Sequence, residues 1–202
     1  MPATHREAPV PGRPRRRAVA ERSIARILDA AIDALAADPD ASMAEVARRA
    51  GVVRATVYVH FETREALLEA VTERALAETG AAISAAEPER GDADAALTRV
   101  VRSTWRTLGR YHALVAINVQ RHGDADLRAK HHAVLAALAP LIARGQRDGH
   151  FRADVPVAWH LSMLLALMHA ASGELRVGRV SDAEAEPALV TTVLGALGGG
   201  RR

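Results

Sequence analysis

Apolar residues recur at helical spacing along most of this chain. Ile24, Ile27, Leu28, Ala31, Ile32 and Leu35 fall at i, i+3, i+4, i+7, i+8 and i+11, which predicts a helix from Ser23 that Asp38 and Pro39 end. Ser42 followed by Glu45 is a capping box, so a second helix is expected to begin at Met43. Its inner face is Val46, Ala47 and Ala50, and Gly51 stops it. Val52 and Val53 make a turn. Arg54 to Phe61 then predicts a third helix of about two turns, with Val57 and Phe61 inward at i and i+4. Thr63 caps a fourth, long helix through Leu67, Leu68, Val71, Leu76 and Ile83, which ends before Pro88 and Gly91. Five more helices are expected near 92–108, 111–120, 124–145, 156–177 and 182–197, with Asp124 and Ser181 as N-caps and a stop and turn at Gly145 to Gly149. Ala and Leu dominate and β-branched runs are short, so the expected fold is all-α with about nine helices.

The polar positions of the third helix carry the strongest functional signal. Its outward residues are Arg54, Ala55, Thr56, Tyr58 and His60, small or hydrogen-bonding groups where a purely structural helix would carry Glu and Lys. A short helix, a glycine turn, a second short helix and the start of a long one is the pattern of a helix-turn-helix DNA reader. At these residues the chain resembles the tetracycline-repressor (TetR) family, whose signature is similar to G-V-S-x-x-T-L-Y-x-H-F-x-S/N-K-E-x-L-L. Gly51, Val52, Thr56, Val57, Tyr58, His60, Phe61, Thr63, Arg64, Glu65, Leu67 and Leu68 match it closely or conservatively. A weaker similarity continues to Gly149, Phe151, Arg152, Asp154 and Pro156. Val53 replaces the usual hydroxyl residue at the start of the reading helix, removing a cap, and Arg64 replaces a lysine, which keeps charge and changes geometry.

The resemblance implies a three-helix DNA-binding head joined by a connecting helix to a ligand-binding and dimerisation body. On this reading residues 1–20 are a disordered basic arm, 21–66 the head and 67–202 the body. Charge supports the division. Residues 1–60 carry ten arginines against seven acidic residues and the rest of the chain balances, so the whole surplus of +3 lies where phosphates would be met. Arg13, Arg15, Arg16 and Arg17 in the arm suit either a minor-groove contact or a solubilising tail. The arm lacks the apolar core of a signal peptide. With no cysteine, disulfide and thiolate chemistry are excluded, which fits a cytoplasmic protein.

Candidate DNA contacts are Ser42, Arg54, Ala55, Thr56, Tyr58, His60 and Arg64. Arg54 heads the reading helix and suits a bidentate guanine contact. Thr56 and Tyr58 suit phosphate oxygens, as matching positions do in the family. His60 suits a phosphate or packing against the connecting helix. Ser42 is a cap whose neighbouring amides can also hold a phosphate. Arg64 opposes the helix macrodipole, which favours a phosphate clamp.

In the body, Val157, Trp159, Leu161, Met163, Leu164, Leu165, Leu167 and Met168 make a helix apolar almost all round. At about 15 residues this run falls short of the ~20 of a membrane span, so burial in protein, and no membrane partner, is expected. With the last helix it is the candidate homodimer interface, an intermolecular four-helix bundle. A ligand pocket is expected from Trp105, Leu108, Tyr111, Ile117, Asn118, Met163, Leu167, Met168 and His169, accepting a small, largely apolar effector. His122, Asp124, Asp126, His131 and His132 lack metal-ligand spacing, and no catalytic motif stands out, so neither metal, cofactor nor enzymatic activity is expected. The expected function is a ligand-responsive transcriptional regulator, a repressor, binding a near-palindromic operator as a homodimer. The competing reading, favoured by Val53, is a helical small-molecule-binding or interaction protein whose head no longer reads specific DNA.

Overall fold

The computed structural model describes residues 13–111, 113, 114, 117, 118 and 124–198, with side chains from 18 onward and, beyond 124, from 129. Among the described residues there are nine named helices. The first four are α1 Arg13–Ala37, α2 Met43–Ala50, α3 Arg54–His60 and α4 Arg64–Ala85. Then come α5 Ala93–Arg110, α6 Asp124–Ala136, α7 Ala139–Arg147, α8 Val157–Arg176 and α9 Asp182–Leu197. Residues 113, 114, 117 and 118 are also helical, within the segment expected as a helix over 111–120. The only pairing of strand type among the described residues is one bridge between Phe151 and Gly198. The fold is all-α.

Two expectations need correction. Helix α1 starts at Arg13, not Ser23, so residues 13–20 of the expected disordered arm are helical. Pro14 stands in the first turn, where its missing N–H breaks no helical bond and its fixed φ suits the helix, and arginine and alanine propagate it well. Residues 1–12 lie outside the described residues. The single helix expected over 124–145 is two, α6 and α7, broken at Ala137 and Leu138. Pro140, at the second position of α7, cannot donate to the Ala136 carbonyl, so the ladder stops before it and restarts.

Helices α1 to α4 enclose one core, in which Ile27, Ala31, Val46, Val57, Leu68 and Val71 are fully buried. Side chains bonded to backbone brace it. Arg26 Nη2 donates to the Ala50 carbonyl at 2.6 Å beside Gly51, whose φ of +64° makes the turn. Glu45 forms half of the expected capping box: its N–H donates to Ser42 Oγ, but its carboxylate takes Arg48 and Arg49 at 2.6 and 2.7 Å. Helix α4, about 33 Å long at 1.5 Å per residue, runs unbroken through the expected head–body boundary at 66–67.

The second core lies among α4, α5, α7, α8 and α9 and includes Leu97, Val100, Ile142, Phe151, Val193 and Leu197. Gly145 packs against Phe151 so closely that a Cβ would lie 2.1 Å from the ring. Arg99 gathers the Ala86, Glu87 and Arg90 carbonyls at 2.8–3.0 Å, closing the turn between α4 and α5. Ser181 and Glu184 make the expected cap of α9, the carboxylate accepting from the Ser181 N–H and hydroxyl. Among the described residues no helix is long and apolar enough to cross a membrane.

The two cores meet at a ring of alternating charge. Asp29 of α1 takes Arg74 of α4 at 2.9 Å and Arg110 of α5 at 2.6 Å. Glu78 of α4 takes the same two arginines at 3.0 and 3.2 Å. Beside the ring, Tyr111, Leu114 and Ile117 pack into the head core, so the segment leaving α5 belongs physically to both regions.

Candidate nucleic-acid interface and effector cavity

Helix α3 is seven residues long and too short to be stable alone; buried Val57 and Phe61 hold it to the head. Its start is Val53, in extended conformation with no side-chain cap, as its apolar side chain dictates. The opposite face is open. Arg54, Ala55 and Tyr58 are exposed and Thr56 is half-buried at its edge. Arg54 Nη2 donates to Tyr58 Oη at 3.1 Å, and its guanidinium carbon lies 5.2 Å from the ring centroid. That stacking holds a long cation upright at a cost of about 0.5–1 kcal/mol to displace it. Val53 and Val59 are 70% and 80% exposed, so two apolar side chains flank these polar groups. The sequence reading passed over Val59, although its position, two residues beyond inward Val57, puts it on the outer side.

The remaining head candidates divide. Ser42 is exposed and caps α2, its Oγ accepting from Glu45 N–H at 3.2 Å. His60 is half-buried, its ring tilted 57° against Phe61 with centroids 6.5 Å apart. Arg64, expected as a phosphate clamp, is engaged within the head: Nη2 donates to the Pro39 carbonyl at 2.6 Å and Nε to the Ala41 carbonyl at 3.3 Å. It ties the start of α4 to the turn before α2. This explains a cation at a helix N-terminus without a phosphate, because the carbonyls supply the negative partner.

The body contains three adjoining spaces. A cavity of about 80 Å³ is walled by apolar residues of α4, α5, α6 and α8, among them Ile83, Val100, Leu164 and Met168. A second of about 50 Å³ is more polar, bordered by Thr72, Thr79, Tyr111, Asn118, His131 and His169. An open groove of about 710 Å³ lies between α6 and α8. Five of the expected pocket residues border these spaces: Leu108, Tyr111, Asn118, Met168 and His169. Four do not. Trp105 is buried and its Nε1–H donates to Asp182 at 3.1 Å, joining α5 to α9. Ile117 is in the head core, Leu167 packs on the body core, and Met163, half-buried on α8, borders none of the three spaces. Thr72, Thr79, His131 and Leu164 were missed, because contacts between distant helices leave no local pattern.

His131 and His169 meet edge to face, centroids 5.4 Å apart. Burial first, and His131 second, pulls the His169 imidazole down to about 4. Burial and the Glu78 carboxylate push Tyr111 up to about 12, so its hydroxyl stays protonated. Asn118 Nδ2 donates to Thr72 Oγ1 at 3.0 Å, and that hydroxyl donates to the Leu68 carbonyl at 2.8 Å. No group of three or more possible metal ligands is found among the described residues. The side chains of His122, Asp124 and Asp126 lie outside them.

A family model described as bacterial regulatory proteins, tetR family, matches residues 27–71. The HTH-type transcriptional repressor LfrR of Mycolicibacterium smegmatis is 34% identical over 150 residues, 74% of this chain and 77% of that protein. The crystal structure of LfrR from Mycobacterium smegmatis in complex with proflavine superposes with a TM-score of 0.71 at 29% identity, covering 88% of this chain and 97% of that one. The fatty acid degradation regulator FadR from Bacillus halodurans shares the fold, with a TM-score of 0.68 at 24% identity over 88% and 98% of the two chains.

Proposed function

Because this chain belongs to the tetR family of bacterial regulatory proteins and is a transcriptional regulator, we propose that it is a repressor that binds a near-palindromic operator as a homodimer and is released by a small effector. The observation that carries the reading is the open face of α3, where Arg54, Thr56 and Tyr58 stand together on a helix held from behind by Val57 and Phe61. Arg54 reads a guanine edge once drawn off Tyr58, and Thr56 and Tyr58 bind phosphate. Exposed Val53 and Val59 suit thymine methyl groups. In that role Val53 is a reading residue, which supports a head that reads DNA over one that has lost it.

One short helix reads too few base pairs for selectivity, so two heads are required, spaced ~34–36 Å apart on successive major grooves. Helices α8 and α9 are the proposed dimer face. In the single chain only His160, Leu164, Met168 and Ser172 of α8 are buried. Trp159, 58% exposed, and Ala170, three turns on, share an outward face that a second copy would cover, at the edge of the groove that Ser162 and Ala166 line.

Release follows from the shared segment. Tyr111 and Asn118 border the inner cavity, while Tyr111, Leu114 and Ile117 pack into the head core. An effector that displaces this segment moves α1 and α4 and changes the head spacing. LfrR, crystallised with proflavine, is the relative that supports a body open to small molecules. The site of action is the cytoplasm, where the DNA is.

The deciding experiment is binding of the purified chain to the DNA upstream of its own gene, as a salt series beside unrelated DNA of equal length. Selective binding that weakens with salt, and is lost in Tyr58→Ala with helicity intact, is expected. Equal weak binding to both DNAs, with no enrichment from a random-sequence selection, would defeat the reading.

A further inference from the structure

The cavity holds an acceptor whose identity the hydrogen bonds around it determine. Thr72 Oγ1 gives its hydrogen to the Leu68 carbonyl at 2.8 Å, so toward Asn118 it can only accept. The Asn118 atom 3.0 Å away is therefore Nδ2, and Oδ1 is the atom left over. Asn118 is 5% exposed, borders the smaller cavity, and its Oδ1 is buried with no hydrogen-bond partner. A buried acceptor without a protein partner at a cavity wall is a site for a ligand donor, because a donor placed there removes the cost of leaving that acceptor unsatisfied.

The charge of that ligand follows from the lining. Among the described residues bordering the three spaces there is no carboxylate. The environment that holds the His169 imidazole neutral penalises any other positive charge placed beside it. Room follows from the same histidine. The inner cavities, about 80 and 50 Å³, are each below the size of ordinary ligand pockets, and His169 borders both of them and the outer groove of about 710 Å³. Turning His169 off the edge of His131 joins the three.

We propose that the effector is an uncharged, largely apolar molecule that donates one hydrogen bond to Asn118 Oδ1 and enters between α6 and α8 by displacing His169. This deepens, and rests on, the reading of the body as an effector site. It departs from the cationic dye that LfrR was crystallised with.

Three tricyclic probes of one shape test it on the full chain at pH 7. Acridone is neutral and carries an N–H; xanthone has an ether oxygen in its place; proflavine is a cation. Acridone is expected to bind about tenfold tighter than xanthone, the worth of one net hydrogen bond, with proflavine weakest. Asn118→Leu should erase the gap between acridone and xanthone, and Asn118→Asp should move the preference toward proflavine. Faster acridone association in His169→Ala is expected in stopped flow. Equal affinity for acridone and xanthone in the unaltered chain, proflavine binding tightest, or no binding of any probe would each overturn the proposal. DNA binding measured on the same samples separates the two readings. The expected order without any change in DNA affinity leaves the site chemistry standing and removes ligand release. DNA release by proflavine alone does the reverse.

Discussion

In the head, Arg54, Thr56 and Tyr58 stand at the open face of α3 while a different set of residues holds the frame. In the body, Tyr111 and Asn118 are buried, pack against the helices around them and border the cavity as well. The head is braced by arginines on backbone carbonyls: Arg26 on Ala50, Arg49 on Asp33, Arg64 on Pro39 and Ala41. With the frame held by other residues, the exposed side chains of α3 carry little structural duty and can be changed without unfolding the head. The body has no such separation. A substitution there alters packing and the cavity lining together.

The largest effect should come from striking the head's frame rather than its face. Leu68 is 1% exposed at the centre of the head core. Leu68→Ala should lower the unfolding free energy by about 2–5 kcal/mol in a urea melt followed by circular dichroism. A loss under 1 kcal/mol would mean that the head core contributes little, and the contrast with the body would fail. Next is the face itself. Arg54→Ala should cost about 1–3 kcal/mol of operator affinity and relax the sequence preference while the urea midpoint stays put. A shifted midpoint would show Arg54 to be part of the frame after all.

The junction sharpens the comparison further, since it belongs to neither region. Asp29 is half-exposed and bound by Arg74 and Arg110. Exposed pairs of this kind are worth little, so Asp29→Asn should change stability by less than about 1 kcal/mol. Burial alone would raise the Glu78 carboxyl, yet the Tyr111 hydroxyl, Arg74 and Arg110 hold it below its usual value, so the ring keeps its charges at neutral pH. If the ring transmits effector binding, Asp29→Asn should reduce the coupling between effector and DNA by about 0.5–2 kcal/mol, measured as the ratio of DNA affinities with and without acridone. An unchanged ratio would assign coupling to the packed segment of Tyr111 and Leu114 alone.

Legibility in the sequence follows the same division. Capping by Ser42 and Thr63, the stop at Gly51 and the inward pair Val57 and Phe61 are local rules, readable within eight residues, and the structure repeats each of them. The early start of α1 and the break between α6 and α7 turn on one proline each: Pro14 opens a helix in an arginine-rich run without apolar periodicity, and Pro140 splits a run that has it. The bracing role of Arg64 was not legible because its carbonyl partners lie 23 and 25 residues away. The cavity was half visible. Tyr111, Asn118 and His169 attract notice as polar residues in apolar runs, but Thr72 enters only through a bond to a residue 46 positions on. Helical periodicity tells which side of a helix is inward and is silent on what it meets there.

The smallest effect tests the burial of His169 directly. His169 titrates near 4 in the fold against an ordinary value of 6.5. Between those values the unfolded chain carries a proton on this residue that the folded chain does not. Since stability rises with pH wherever the unfolded state binds more protons, acidification from 6.5 toward 4 should destabilise the fold progressively. Glu45 and Asp154, held to about 2 by arginines, act in the same direction but only below their ordinary values of 4.5 and 3.8. The interval from pH 6.5 to 5 therefore isolates the histidine signal from those carboxylates. In that interval the urea midpoint should fall with pH, and His169→Gln, which keeps a polar side chain without the titration, should flatten the slope. A slope that survives the substitution would mean that the proton goes elsewhere. The space beside Asn118 would then be wetter than its walls imply, and a charged effector would no longer be disfavoured there.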